Sequence, residues 1–281
     1  MISLIICNKE PGLLNKLSNN IKKTICTEYE LIAIDNSQNK YSIFEAYNIG
    51  ANKARGDIIC FCHEDILFKT NNWGQKIISI FNSNAKIGIV GFAGAHFLPD
   101  CPMYWSSSPF ISEYNLNNDN GQIIEFFCTD YYNEQNIAEA VAVDGLCFFV
   151  RRELFEQISF DEKTYKGFHL YDMDICMQAI KAGYKVCVTK DILVEHFWSE
   201  KGAAKKAGME LFEHNLSLFC AKWKDDLPIY KGLSNTPENV LTRINRLCEN
   251  AYEAKKVRKS KAYRIGKSIL SPLIFIKKHF S

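Results

Sequence analysis

The chain has 281 residues, of which 47% are hydrophobic and 23% charged, with a net charge of +2. A chain of this length and composition can bury one large hydrophobic core, and its near-neutral total charge does not indicate a nucleic-acid partner. The charge is uneven, because residues 251–281 carry nine Lys and Arg against one Glu, which leaves the first 250 residues at about −6.

The 11 cysteines form no Cys-x-x-Cys pair, and most lie in apolar surroundings, which is typical of buried free thiols in a reducing compartment. The apolar run at Met1–Cys7 is too short for the hydrophobic part of a signal peptide and lacks a basic start. No stretch reaches the ~18 consecutive apolar residues of a membrane-spanning helix. The sequence therefore predicts a cytoplasmic protein.

Short apolar strands alternate with helical patterns four times in the first 91 residues. The predicted strands are Ile2–Cys7, Glu30–Asp35, Asp57–Cys62 and Ile87–Gly91. The first helix follows Pro11, and the second begins with the capping box Ser42-Ile-Phe-Glu45. This alternation predicts an α/β fold with a mostly parallel, Rossmann-like central sheet flanked by helices.

Polar residues follow the carboxyl ends of the first three predicted strands. They are Asn8, Asp35-Asn36 and His63-Glu64-Asp65. Ligands of parallel α/β sheets bind at this edge, so we expect these side chains to converge on one site.

The pattern between residues 95 and 138 is irregular, and the regular elements resume after it. The predicted elements there are a strand at Ala140–Asp144, an apolar run at Leu146–Val150, a helix from about Asp172 to Ala182, strands near Lys185–Val188 and Ile192–Glu195, and helices at about 204–223 and 237–258. Gly183 is a typical helix stop, and His196 directly follows the last strand.

Two long motifs give the chain a family resemblance. Residues 46–65, AYNIGANKARGDIICFCHED, have the form of a helix N-x-G-x-x-x-A-x-G-D that leads into a strand ending near D-x-D. Residues 145–155, GLCFFVRRELF, and 171–184, YDMDICMQAIKAGY, have the form of an acceptor-side strand and an E-D-x-D-L helix. In this order they resemble family 2 glycosyltransferases of the GT-A fold, including a branch related to a streptomycin-biosynthesis protein.

The resemblance covers about residues 1–200 and implies a GT-A domain there, with a donor-binding half at about 1–95 and an acceptor half at 96–200. A helical extension with a basic tail would occupy residues 201–281. The implied reaction moves a sugar from a nucleotide-diphosphate sugar, with uracil as the base, to an acceptor hydroxyl with inversion. Its acceptor would be a saccharide or a lipid-linked molecule, in glycan or polysaccharide biosynthesis.

A divalent cation, Mn²⁺ or Mg²⁺, would offset the negative charge that grows on the diphosphate leaving group. Asp65 is the candidate carboxylate ligand, and His196 resembles the family's late histidine, which can complete the metal shell; the alternative for His196 is a structural role. His63 stands where the family has the first Asp of D-x-D, and we assign it with Glu64 to the nucleotide.

Other residues are assigned to the nucleotide by the resemblance. Asp35 and Asn36 match the turn that holds uracil or ribose, although Asp35 can also serve only as a turn-forming residue. Asn8 and Glu10 lie in the loop that lines the base pocket in the family, and Asn52 of the first motif is assigned to the same side.

Asp172 matches the family's general base, which accepts the proton of the acceptor hydroxyl. Because it stands at the start of a helix, we expect the helix dipole to keep its carboxylate ionised at neutral pH. Asp174 is assigned a supporting role, since positions i and i+2 of a helix point in different directions. The alternative is that both acids only cap the helix.

Two interpretations compete with this one. The replacement of the first D-x-D Asp by His63 leaves a sugar-nucleotide-binding protein without turnover as the main alternative. A nucleotidyltransferase is disfavoured, because residues 8–12 do not form the Gly-rich basic loop of that class. Independently, the basic residues around the short apolar segment 269–276 predict either contact with an anionic membrane surface or a solvated helix.

Overall fold

The computed structural model describes residues 1–102, 110–117, 123–127, 136–197 and 205–231, all within one compact unit, Met1–Leu233. The helix predicted at about 237–258 and the basic tail lie outside the described residues, so neither alternative for the tail, membrane contact or a solvated helix, is tested. Within the described residues, no helix combines the length and the apolar character needed to cross a bilayer.

The described helices and strands follow the predicted order closely in the first 91 residues. The helices are α1 (Pro11–Thr24), α2 (Ile43–Lys53), α3 (Trp73–Ser83), α4 (Arg152–Phe155), α5 (Tyr171–Lys181) and α6 (Lys205–Lys222). The strands are β1 (Ile2–Asn8), β2 (Tyr29–Asp35), β3 (Ile58–Cys62), β4 (Ile66–Phe68), β5 (Ile87–Gly91), β6 (Ala93–Ala95), β7 (Phe97–Leu98), β8 (Phe110–Asn117), β9 (Ile123–Phe127), β10 (Ile137–Ala140), β11 (Ala142–Val143), β12 (Cys147–Arg151), β13 (Lys185–Thr189), β14 (Val194–Phe197) and β15 (Ile229–Tyr230).

The central sheet contains seven described strands in the order β10-β13-β5-β12-β3-β1-β2. β1 pairs in parallel with β2 and β3, and β13 pairs in parallel with β5. β12 lies antiparallel between β3 and β5, and β10 is antiparallel to β13. The predicted fold class, a mostly parallel central sheet flanked by helices, is confirmed.

Both faces of the sheet are buried at its inner strands β3 and β5, which are apolar and buried at every residue. In β3, Phe61 packs in a cluster with side chains of α2 and α5, whereas Cys60 and Cys62 pack on the opposite face with α1 and α3. This is the arrangement expected of a strand, in which alternate residues point to opposite faces.

A second sheet, in the order β11-β6-β8-β14-β4, is built largely from segments in which the sequence predicted no strands. The strand predicted at Ala140–Asp144 is two strands in the structure. β10 pairs with β13 of the central sheet, and β11 pairs with β6 of the second sheet. Between them Val141 donates its backbone N–H to Ala95, so the chain passes from one sheet to the other there.

Helix ends follow the predicted local signals. Ser42 and Glu45 form the reciprocal capping box that opens α2. α5 ends before Gly183, whose φ of +83° is the left-handed conformation that glycine adopts without a steric penalty. These two ends matter for the site, because α2 borders its main cleft and α5 carries its candidate base.

Candidate active site

A cleft of about 600 Å³ lies at the carboxyl ends of β1, β2 and β3. The structure brings together there five of the residues predicted for the site: Glu10, Asn36, His63, Glu64 and Asp65. Three lysines, Lys9, Lys40 and Lys166, also line this cleft. The expected convergence of strand-end side chains is therefore present for these residues.

Asp65 lies between two histidines. Its Oδ1 is 3.9 Å from His63 Nδ1, and its Oδ2 is 3.4 Å from His196 Nε2. His196 comes to this position because β14 pairs with β4, the strand that follows Asp65, and Phe197 donates its N–H to the Asp65 carbonyl at 2.8 Å. One ligand atom from each of the three residues lies within 4.8 Å of the others.

This group fits a divalent cation. Asp65 Oδ1 is buried and has no hydrogen-bond partner among the described residues, which is costly for a carboxylate oxygen unless a cation satisfies it. Two imidazoles and a carboxylate suit Mn²⁺ and neighbouring transition metals. The structure thus places the two predicted ligands, Asp65 and His196, together, and adds His63 beside them.

The pKa values in the cluster follow from burial and mutual contact. Burial lowers the pKa of His63 to about 4, and the charge of His196 adds to this shift, while Asp65 opposes it. Burial would raise the pKa of Asp65, but the hydrogen bond and charge of His196 outweigh it and the pKa lies below its usual value. The pKa of His196 is correspondingly raised, since Asp65 outweighs the effect of burial.

The motif at residues 145–155 and 171–184 lies next to the group of His63, Asp65 and His196. Its strand β12 begins beside the end of β3. His63 donates its backbone N–H to the Leu146 carbonyl at 2.9 Å. The hydroxyl of Tyr171, at the start of α5, lies 2.7 Å from His63 Nε2 and 3.0 Å from the Gly145 carbonyl. A Cβ at Gly145 would lie 2.2 Å from the Tyr171 hydroxyl, so this close approach requires glycine.

Asp172 follows Tyr171 and lines a small cavity of about 160 Å³ together with His63. Its carboxylate accepts the N–H of Gly145 at 3.1 Å and that of Met173 at 2.9 Å. Asp172 and the Asp65 cluster are therefore joined by one short hydrogen-bond path.

The structure corrects the expected ionisation of Asp172. Burial, followed by the negative charge of Asp144, raises its pKa to about 7, although hydrogen bonds from Met173 and Gly145 oppose the shift. The helix dipole does not keep this carboxylate fully ionised at neutral pH, because removal from water outweighs it. A carboxyl with a pKa near 7 is well matched to proton transfer.

Asp144 is a site residue that the sequence analysis missed. It lines the same small cavity as Asp172, its Oδ1 accepts the N–H of Leu146 at 3.0 Å, and burial raises its pKa. The available signal was its position directly before the motif that begins at Gly145, at the end of a predicted strand.

Phe168 was also missed. Its side chain is 48% exposed and lines both the large cleft and the small cavity, with its ring 5.3 Å from that of His63. The buried amide of Asn215, on α6, holds its loop by donating to the carbonyls of Lys166 and His169. No local sequence pattern indicates such a contact, because α6 follows the loop by some forty residues.

Asp174 does not face the site, which corrects its assignment as a catalytic support. It is 1% exposed and accepts hydrogen bonds from Tyr165, Gln178 and Trp223. Lys222 forms an ion pair with it at 2.9 Å. As expected from their spacing, Asp172 and Asp174 point in different directions, but Asp174 serves to attach the end of α6 to α5.

Removal of the Asp174 carboxylate is expected to destabilise the fold strongly. Asp174→Ala leaves the buried Tyr165 hydroxyl and Trp223 N–H without their acceptor, at about 1–3 kcal/mol each. It also removes one of the two carboxylates that pair with Lys222, which keeps Asp161 at 2.7 Å. Urea unfolding measures the loss, with Asp225→Ala, at an exposed position after α6, as the control. A change below about 1 kcal/mol would show that the contacts of Asp174 contribute little.

The acidic residues assigned to the nucleotide have specific structural partners. Both carboxylate oxygens of Glu64 accept backbone N–H groups of Lys9 and Glu10, which joins the loop after β1 to the loop after β3. Glu64 thus shapes the cleft, and its carboxylate is already engaged by the chain. Asp35 is exposed, accepts the N–H of Ser37 at 3.0 Å and is absent from the lining of the cleft, as its turn-forming alternative implies.

The three asparagines assigned to nucleotide binding do not all lie in the cleft. Asn36 lines the cleft, and its side chain is held by the backbone N–H and carbonyl of Tyr41. Asn8 is buried at the end of β1. Asn52 is exposed near the end of α2 and lines a separate cavity with Arg152, so the structure does not bring it to the other predicted residues.

Comparison with known proteins identifies a family. A family model described as "Glycosyltransferase like family" matches residues 3–222. Among curated proteins, none matches this chain significantly.

Solved structures give the fold. The crystal structure of GalNAc-T7 with UDP, GalNAc and Mn²⁺ is similar with a TM-score of 0.54 and 11% identity, over 77% of this chain and 47% of that one. This chain therefore spans about half the length of that protein. The mannosyltransferase PcManGT from Pyrobaculum calidifontis, in complex with GDP-Man and Mn²⁺, has a TM-score of 0.48 and 11% identity, over 97% of this chain and 84% of that one. The first likeness supports the predicted GT-A architecture.

Proposed function

This chain belongs to the glycosyltransferase-like family that matches its residues 3–222, and on that basis we propose that it transfers a sugar from a nucleotide-diphosphate sugar to an acceptor hydroxyl. One observation carries the proposal. A single hydrogen-bond path, from His63 through Tyr171 and Gly145, joins the Asp65 cluster in the large cleft to Asp172 in the small cavity. The proposed donor site and the proposed acceptor site are therefore next to each other.

The large cleft is the proposed donor site. Its three lysines supply positive charge for a diphosphate, and Asn36 and Tyr41 line its wall beside β2. Uracil is the proposed base, by family resemblance and because UDP is bound in the GalNAc-T7 structure. Glu64 supports this site indirectly by fixing the loop that carries Lys9 and Glu10.

Asp65 and His196 are the proposed ligands of a divalent cation, Mn²⁺ in preference to Mg²⁺. When bound, such an ion offsets the charge that develops on the diphosphate leaving group, an effect of several kcal/mol. The chain contributes the unpartnered Asp65 oxygen and orients it through the pairing of β4 with β14.

The small cavity is the proposed acceptor site. Asp172 would accept the proton of the acceptor hydroxyl while that oxygen attacks the anomeric carbon, which inverts its configuration in a single displacement. Phe168 at the rim offers an aromatic face to a saccharide acceptor. Participation in glycan or polysaccharide synthesis, with a saccharide or lipid-linked acceptor, belongs to this proposal.

The transfer rate is expected to rise with pH through about 7. Only the ionised form of Asp172 can accept a proton, and its pKa of about 7 places the change there. Asp144→Asn removes a negative charge that raises this pKa, so the midpoint of the rate profile should move to lower pH. The rate of transfer between pH 5 and 9 measures both midpoints. A rate that does not change with pH over this range in the unmodified protein would contradict the raised pKa of Asp172.

The proposed function is tested by two measurements on the full chain. Thermal unfolding with a panel of nucleotide sugars, with and without Mn²⁺, identifies the donor, because a ligand that binds only the folded state raises its stability. Radiolabelled donor then reports hydrolysis or transfer. If a donor binds and is neither hydrolysed nor transferred with any acceptor or metal, the proposed enzyme activity is wrong. The alternative, a sugar-nucleotide-binding protein without turnover, then applies.

A further inference from the structure

We infer that Asp144 selects the charge of the acceptor, so that the small cavity takes one uncharged or amino-bearing sugar ring and rejects a sugar that carries a carboxylate or a phosphate. The inference rests on the proposed function, because it treats the small cavity as the acceptor site, and it narrows the class of acceptor. Its basis is the arrangement of charged groups among the described residues that line this cavity.

Two carboxylates of the cavity are held by consecutive backbone N–H groups. The Gly145 N–H donates to Asp172 Oδ2 at 3.1 Å, and the Leu146 N–H donates to Asp144 Oδ1 at 3.0 Å. After burial, the negative charge of Asp144 is the largest cause of the raised pKa of Asp172. The two acids therefore interact, and both contribute negative charge to the same small space.

The second oxygen of Asp144 is available to a ligand, because Oδ1 accepts the Leu146 N–H and Oδ2 makes no hydrogen bond to the described residues. In Asp172, by contrast, each oxygen already accepts one backbone N–H. An ionised carboxylate only accepts hydrogen bonds, so it binds a hydroxyl or an ammonium group and repels another anion. Asp144 is therefore the better placed of the two acids to bind an acceptor hydroxyl other than the one that attacks.

The described lining of the cavity contains no Lys or Arg that could bind an anionic acceptor. The three lysines of the large cleft do not line it. Burial lowers the pKa of His169, so this imidazole is neutral at neutral pH. The N-terminal end of α5, which would attract an anion, is already occupied by Asp172 through the Met173 N–H. Positive charge thus lies on the donor side and negative charge on the acceptor side.

The proposed ion at Asp65 does not reverse this charge. An electrostatic argument near a metal site has to include the charge of the ion itself. Here the divalent charge is offset by the Asp65 carboxylate and by the diphosphate of the donor. The acids of the small cavity therefore still determine the sign of the charge that an acceptor meets.

The size and the wall of the cavity suit a single sugar ring. Its volume of about 160 Å³ is well below the ~300–1,000 Å³ of pockets that enclose larger ligands. Phe168 lines it with a ring that is 48% exposed and can pack against the C–H groups of a sugar. An aromatic face beside a free carboxylate oxygen recognises a sugar by its C–H groups and hydroxyls and requires no negative charge on it.

The test compares acceptors that differ only in charge. Octyl glycosides of glucose, galactose, mannose and N-acetylglucosamine are first assayed with the full chain and its donor. The uronic acids of the three hexosides are then each compared with the matching uronamide, which has nearly the same shape and no charge. At pH about 8.5 Asp172, with its pKa of about 7, is ionised, and kcat/KM should be at least ~tenfold higher for the uronamide than for the uronate.

Asp144→Asn keeps the shape of the side chain and removes its charge. It should reduce the preference for the uronamide over the uronate at least ~threefold. The ratio of the two kcat/KM values is compared because a change in the reactivity of Asp172 affects both acceptors and cancels. Asp225→Asn, at an exposed position after α6, should leave the ratio unchanged.

Equal use of uronate and uronamide by the unmodified protein, or an unchanged preference in a folded Asp144→Asn protein, would overturn the inference and leave the proposed function in place. If Asp144→Asn does not fold, the comparison in the unmodified protein decides alone. If no acceptor is turned over, calorimetry with UDP present measures binding of the same pairs. Tighter binding of the uronamide then supports the inference although the proposed function fails, whereas equal affinity or no binding removes both.

Discussion

Asp172→Asn is expected to lower the transfer rate by ~10²–10⁴-fold while donor affinity changes little, because loss of a general base has an effect of this size. The amide has nearly the shape of the carboxylate but cannot take a proton from the acceptor hydroxyl. Asp172 lines the small cavity and is absent from the lining of the donor cleft, which is why donor binding should persist.

The measurement compares initial transfer rates with donor affinity by calorimetry. One of the two backbone N–H groups that Asp172 accepts would face the new NH₂ group, so unfolding of the variant is measured alongside to separate a folding defect from a chemical one. Asp225→Asn, exposed and distant in sequence, is the control and should keep full activity. Equal activity in Asp172→Asn would remove the base assignment and direct attention to Asp144.

Asp65→Ala is expected to abolish metal-dependent donor binding and to lower transfer about a thousandfold. Asp65 is the only carboxylate of the described cluster and lies between both histidines, so its loss removes the anionic ligand and the contact that orients His196. The expected factor corresponds to several kcal/mol of stabilisation of the leaving group, at 1.36 kcal/mol per tenfold change in rate.

Donor affinity with and without Mn²⁺ is the decisive measurement for Asp65. In the unmodified protein Mn²⁺ should strengthen donor binding, and in Asp65→Ala this strengthening should disappear. Asp57→Asn is a matched control. Asp57 directly precedes β3, whereas Asp65 follows the other end of that strand, and the Asp57 side chain is 87% exposed. A variant that keeps the full effect of Mn²⁺ would show that the ion binds elsewhere.

Local sequence patterns were sufficient for most of the central sheet. The strand at Ile87–Gly91, the capping box at Ser42 and the glycine stop at Gly183 are all found where they were predicted. Each depends on the residue itself or its near neighbours, such as a side-chain oxygen that reaches an N–H three residues away. The family resemblance, which rests on residues 46–65, 145–155 and 171–184, is also confirmed. It could be recognised from the sequence because each of these stretches is contiguous.

The second sheet and the crossing at Val141 could not be predicted in this way. β4 has only three residues, and its pairing partner β14 lies far along the chain. A strand that short carries no clear alternation of its own, so its existence depends on the partner. The same pairing brings His196 to Asp65, which the sequence could propose only through the family's late histidine.

The sequence by itself determined the fold class and the identity of the groups able to do chemistry, because both are carried by short contiguous patterns. The tertiary structure decided the contacts and the surroundings of each group. It oriented His63 toward Asp65 through Tyr171, raised the pKa of Asp172 through burial, and turned Asp174 away to bind α6. The physical reason is that hydrogen-bond direction and desolvation depend on atoms that meet only after folding, here from residues 27 to 108 positions apart.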